Sequence, residues 1–301
     1  MHERFIAGLV ALLLCGLTGT ALAADRQVLH KEQSLYHTIM IVSEPSRVCM
    51  QFSVRDGSRN QSCINPRHPK RMVFGYTRMM MAALLLAPEP QAVLVAGLGG
   101  GTLPTALAEL VSDVRIDVVE IDQAVVDAAR EFFDFKETER MRVHIRDARV
   151  FAKRALQRGR QYDLIILDAY SGDYIPEHLM TAEFLEEVRG LLTPDGVVAA
   201  NTFATSRLYG YESATYRSVF GEFFNFKLRT SNNRVILATN GPLPTQAELH
   251  ANARAWRKAL APYDVPIASY PRRLSTKLDW DLSKRPLTDQ YSPANLLQRS
   301  R

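Results

Sequence analysis

The feature that most constrains this chain is a glycine-rich turn set between a short apolar run and a helical one. Residues 92–96 are apolar, and Gly97-Leu98-Gly99-Gly100-Gly101 follow at once. Glycines at such a turn let the backbone approach a ligand closely, and the helix that follows presents free N–H groups. Further apolar runs fall at 116–121, 142–145, 164–167, 197–200 and 235–238, and helical stretches such as 123–133 and 181–192 separate them. Short β-branched runs alternating with helices predict parallel strands buried on both faces, hence an α/β sheet covered on each side. Residues 225–229 followed by 234–239 predict a closing antiparallel pair.

Upstream, 74–86 predicts a largely buried helix stopped by Pro88 and Pro90. Residues 30–65 have no helical period. They predict a small β unit with a strand at 35–42 and a hairpin turning at Arg55-Asp56-Gly57-Ser58. That hairpin sets Cys49 roughly opposite Cys63, near enough for a disulfide, although two separate core thiols satisfy the composition equally well. The N-terminus tips the choice. Arg4 precedes an apolar stretch from Phe5 that ends in Ala21-Leu22-Ala23, the pattern of a cleavable signal peptide, and oxidising compartments are where disulfides persist. The expectation is a periplasmic or secreted protein, with an uncleaved membrane anchor as the alternative. The resulting division is 1–23 signal peptide or anchor, 24–70 β-hairpin unit, 71–240 Rossmann-like domain, and 241–301 a tail with a helix at 246–260. Net charge is only +5, from 37 basic and 32 acidic residues, with no Lys/Arg run, which argues against a nucleic-acid partner.

Acidic residues end successive predicted strands: Glu120, then Asp147 followed by Ala148, then Asp168, with Tyr170 and Asp173 just beyond. In open α/β sheets ligands bind at the carboxyl ends of the strands, so these carboxylates converge on one crevice. A carboxylate about twenty residues after the glycine turn accepts from ribose hydroxyls. Asp147 is placed to accept from an adenine amino group, and Asp168 and Asp173 to hold a cationic amine or take its proton. For Asp173, a helix cap or Asx-turn is an equal alternative. No metal site is expected.

These motifs resemble the spermidine synthases, the polyamine aminopropyltransferases, over about Ser34 to Phe203, and most of all the branch fused to transporter-like membrane domains. The segment Ser34-Leu35-Tyr36-His37-Thr38-Ile39 is similar to one of the family's strands, and Phe52 to Gly57 to its hairpin. Glu120 with Asp122 is similar to its ribose-binding strand, Asp147-Ala148 to its adenine site, Asp168 to its catalytic aspartate, and Leu287 to Pro293 to an ending of the fused branch. The resemblance implies a class I AdoMet-methyltransferase-type Rossmann fold. It implies a small-molecule amine such as putrescine as acceptor and decarboxylated AdoMet, or AdoMet itself, as co-substrate. It further implies that Asp168 is catalytic, that His37, Gly97, Gly99, Gly101, Glu120, Asp147 and Ala148 bind the donor, and that Tyr76, Tyr170 and Asp173 bind the acceptor. A homodimer stays open, as does a methyltransferase or a non-catalytic nucleoside-binding homologue. The chain departs from the family in four places: Gly100 stands for an aspartate of the glycine loop, Thr77-Arg78 for a His-Glu pair, His37 for a glutamine, and Asp168 and Asp173 lie five residues apart where the family has three. A cation at Arg78 would instead suit a carboxylate, as on AdoMet itself or a different acceptor, and replacement of the missing acid from elsewhere, for example by Asp289, stays open.

Overall fold

The computed structural model describes residues 26–54, 57–170 and 174–293. The expected signal segment, Asp56 of the hairpin turn and Asp173 lie outside the described residues. Strands β1 (Gln27–Gln33), β2 (Thr38–Glu44), β3 (Arg47–Val54) and β4 (Gly57–Ile64) form a four-stranded antiparallel sheet in sequence order. The expected strand at 35–42 begins only at Thr38, and Leu35 is 97% exposed. Strand β1 had no sequence signal because nearly every residue in it is exposed, so nothing imposes alternation. Cys49 pairs directly with Cys63 across β3 and β4, and the two form a disulfide with Cα atoms 4.1 Å apart.

The predicted helix at 74–86 splits into α1 (Gly75–Met80) and a tighter 3-10 stretch, Met81–Leu85, every residue of which is buried. The chain then alternates: β5 (Ala92–Ala96), α2 (Thr102–Leu110), β6 (Arg115–Glu120), α3 (Gln123–Phe132), β7 (Met141–Ile145), α4 (Ala148–Gln157), β8 (Tyr162–Leu167), α5 (Ala182–Gly190), β9 (Leu192–Phe203) and α6 (Tyr209–Phe220). It ends with β10 (Phe224–Lys227), β11 (Asn233–Thr239), α7 (Gln246–Leu260) and the short β12 (Leu274–Ser275). These strands build one eight-stranded sheet in the order β12-β10-β11-β9-β8-β5-β6-β7. Strands β5 to β9 are parallel, and β11 and β10 close the sheet antiparallel, as expected.

Alternate residues of each central strand feed opposite faces. Val93, Val95, Leu164 and Ile166 pack with α2 and α7, whereas Leu94 and Ile165 pack with α4, α5 and α6. Helix α3 carries two apolar faces. Val126 and Ala129 join the main core, while Ala124, Val125 and Ala128 meet Ile39, Ile41, Met50 and Phe52 of the small sheet. That second contact seats the N-terminal sheet beside the carboxyl ends of β5 and β6. The tail returns to the domain: Tyr270 and Leu274 enter the main core, and Leu287 is buried against Met180 and Leu208. Among the described residues no helix is long and apolar enough to cross a membrane.

Candidate active site

Strands β6 and β8 flank β5 on its two sides, so the direction of winding reverses at β5. The carboxyl ends of β5, β6, β7 and β8 open there on a crevice of about 260 Å³. His37, Tyr76, Gly97, Gly99, Glu120, Asp147, Ala148, Asp168 and Tyr170 all line it, as the sequence predicts.

Glu120 ends β6. One carboxylate oxygen accepts from the Leu98 N–H at 3.0 Å, and the other from the N–H groups of Ile121 and Asp122 at 2.8 and 3.1 Å. Burial raises its pKa, and the three N–H donors oppose that shift. Asp147 caps α4, accepting from the Val150 N–H at 2.9 Å, and its second oxygen lies 2.8 Å from Nε2 of His178. That histidine holds the Asp147 carboxyl below its ordinary value. His37 stacks on Phe52 with ring centroids 4.3 Å apart, and burial lowers its pKa, so the ring is neutral near pH 7.

Asp168 follows β8 directly and is half-buried, and desolvation of its carboxyl pushes it up to about 7. Two hydrogen bonds favour the ionised form against that burial, one from Asn201 Nδ2 at 2.8 Å and one from the Tyr76 hydroxyl. Asn201 is itself oriented, because its Oδ1 accepts from Asn233 Nδ2 at 2.9 Å, while its backbone carbonyl accepts from the Tyr170 hydroxyl at 2.8 Å. Asn201 was not anticipated from the sequence. It sits inside the long apolar strand β9 among buried neighbours, and its polarity was the one available signal. Gln61 and Ser62 of β4 and His178 also line the crevice without having been anticipated.

Four residues singled out in the sequence do not line the crevice. Gly101 does not line the crevice: it sits at the start of α2 with φ +75°, and a Cβ there would lie 2.4 Å from the Phe135 ring. Gly100 does not line the crevice either. A Cβ on it would strike Phe133 and Ser62 at 2.7 Å, whereas Gly99 lines the crevice and a Cβ there meets Ser62 at 3.6 Å. Arg78 offers no cation to the site, because it pairs with Asp264 at 2.7 Å. Asp289 does not replace the missing acid either, being held by Arg149 and the Thr181 hydroxyl. Gly97 has a packing reason of its own: at φ +96°, a Cβ would come 2.3 Å from the Asp168 carbonyl oxygen, so only glycine lets the β5 turn lie against β8. Among the described residues no group of three His, Cys, Asp or Glu could hold a metal ion.

A doubly wound sheet that gathers three carboxylates at a crevice across its switch point defines a Rossmann-like domain of the methyltransferase type. The chain belongs to the spermine/spermidine synthase domain family, whose profile it matches over residues 73–228. It is 47% identical over 288 residues to a polyamine aminopropyltransferase of Vibrio vulnificus, covering 95% of this chain and 96% of that one. Among solved structures it is similar to human methyltransferase-like protein 13 in complex with SAH (26% identity, TM-score 0.58, 74% of this chain and 100% of that chain). A probable spermidine synthase from Corynebacterium glutamicum shares the fold at 19% identity (TM-score 0.63, 86% of this chain and 99% of that one).

Proposed function

We propose that this chain is a polyamine aminopropyltransferase that uses an AdoMet-type nucleoside as donor, with the decarboxylated form transferring its aminopropyl group to an amine such as putrescine. The observation that carries the proposal is the crevice itself, where Glu120, Asp147 and Asp168, from the tips of three adjacent-run strands, line one cavity. Glu120 offers oxygens to the ribose hydroxyls and Asp147 to the adenine amino group, while Leu98, Val119, Ile121 and Val125 supply apolar wall. The acceptor nitrogen must be deprotonated to attack. Asp168, with a carboxyl at about 7, is poised to take that proton near neutral pH. The nitrogen lone pair forms a bond to the carbon next to the sulfonium, the C–S bond breaks, and its electron pair neutralises the sulfur to leave a thioether. Tyr76 and Asn201 hold Asp168 through this step, so positioning and proton transfer are the protein's share.

A methyl-transferring alternative rests on one observation. The side chain nearest a Cβ at Gly99 is that of Ser62, which carries no charge to meet a donor's primary amine. Incubation of the protein with putrescine and decarboxylated AdoMet, followed by mass spectrometry, tests the main proposal: aminopropylated product is expected, and its absence refutes the activity. Titration with both donors separates the two chemistries, since preference for AdoMet favours the alternative. We also propose export through residues 1–23, consistent with the Cys49–Cys63 disulfide and an oxidising compartment. N-terminal sequencing of the mature chain should begin at Ala24, and an intact Met1 in the isolated protein would overturn this.

A further inference from the structure

A second cavity, of about 230 Å³, lies behind the β7–α4 turn at the free edge of the large sheet. Its walls include His144, Arg146, Arg154, Arg158 and Arg160, Phe151 forms part of the apolar surface, and no acidic side chain lines it. Residues 139–160 carry eight arginines and lysines against Glu139 and Asp147, so the cavity marks the most basic part of the described chain. Arg160 is the one anchored cation: Asp117 accepts from it at 3.0 Å, from Tyr162 at 2.8 Å and meets His144 Nε2 at 2.6 Å. Arg146, Arg154 and Arg158 have no ion-pair partner among the described residues.

Arg154 lies in the last turn of α4 and Arg158 caps its end, one turn further on. Cations there are favoured by the helix dipole, but two like charges at that spacing repel each other, and Arg146 and Arg160 face the same cavity. A concave surface lined by one sign of charge focuses its field on a counter-ion. Guanidinium groups match phosphate oxygens in a planar, two-point geometry, and a phosphate, unlike chloride or a monocarboxylate, has further oxygens to offer a second and third guanidinium.

We propose that this cleft is a binding site for a polyvalent phosphate group, separate from the transferase crevice. The phosphate sits among Arg146, Arg154 and Arg158, with Arg160 held at its edge by Asp117. Arg146 also lines the transferase crevice, so an occupant of the cleft touches the turn that presents Asp147. The phosphate comes either from a soluble polyphosphate or from an anionic lipid headgroup.

Isothermal titration of the folded, full-length protein with inorganic pyrophosphate tests this, alongside flotation with phosphatidylcholine vesicles with and without phosphatidic acid, whose phosphomonoester is also polyvalent. The double variant Arg154→Glu with Arg158→Glu is compared with Arg254→Glu with Arg257→Glu, which makes the same charge change on exposed positions of α7. Circular dichroism checks that all three proteins are folded. We expect binding to fall by on the order of tenfold per guanidinium lost in the first variant and to stay at the wild-type level in the second. Binding of pyrophosphate alone identifies a soluble ligand, and binding of the anionic vesicles alone identifies a lipid headgroup. Absence of both, or equal loss in the two variants, overturns the proposal.

Discussion

Replacing Asn201 with alanine isolates the electrostatics of the proposed base. Asn201 Nδ2 donates to Asp168 at 2.8 Å, and a donor to a carboxylate stabilises its ionised form. A hydrogen bond to a charged group is worth about 1.5–3 kcal/mol, and one pKa unit corresponds to about 1.36 kcal/mol. Removing the donor therefore raises the Asp168 carboxyl by about 1–2 units above its present value of about 7, since burial then goes less opposed. The assay is the pH dependence of kcat/KM with saturating donor. The acid limb of the variant should move about 1–2 units to higher pH, with the plateau rate recovering once Asp168 ionises. The Tyr170 hydroxyl bonds to the backbone carbonyl of residue 201, so that contact survives the substitution. An acid limb that stays where it is while the plateau falls would refute the reasoning, because Asn201 would then act through packing and Asp168 would not be the titrating group.

Stability should follow the same carboxyl. Its folded pKa of about 7 is raised above the ordinary carboxylate value, so its contribution is complete at acid pH and is lost as pH climbs through about 7. Because the half-buried carboxyl keeps some solvent screening, this amounts to no more than about 4 kcal/mol, and Asp168→Asn should flatten the fall in urea midpoint between acid and mildly alkaline pH; an undiminished fall contradicts it. Cys49→Ser combined with Cys63→Ser should cost about 3 kcal/mol by urea unfolding, given the sequence separation of 14, and an unchanged midpoint would show that the cross-link does not restrain the unfolded chain. Gly97→Ala should cost at least about 2 kcal/mol, because φ +96° and the Asp168 carbonyl both oppose a Cβ; a fully stable variant would mean that the β5 turn relaxes. Arg78→Ala should cost less than about 1 kcal/mol and leave donor affinity unchanged by titration, since its partner is Asp264; a large loss of donor binding would restore it to the site.

The parallel strands, the glycine turn and the acidic strand ends were legible along the chain for one physical reason. A strand buried on both faces is mostly apolar, so a polar side chain that closes such a run stands out, and in an α/β sheet those ends are where ligands bind. Glu120, Asp147 and Asp168 follow from that rule alone, and the Cys49–Cys63 pairing follows from a hairpin whose turn residues are local. Tertiary packing decided the rest. Which glycine faces the crevice depends on Phe133, Phe135 and Ser62, which come from other elements. Arg78 is turned to Asp264 by a contact across 186 residues, and Asn201 reaches Asp168 only because β9 lies beside β8. Residue type and spacing carry what the backbone period dictates. The direction of a single side chain, and the partner that satisfies it, are set by neighbours far away in sequence, because a buried polar group must find its hydrogen bond wherever the fold supplies one.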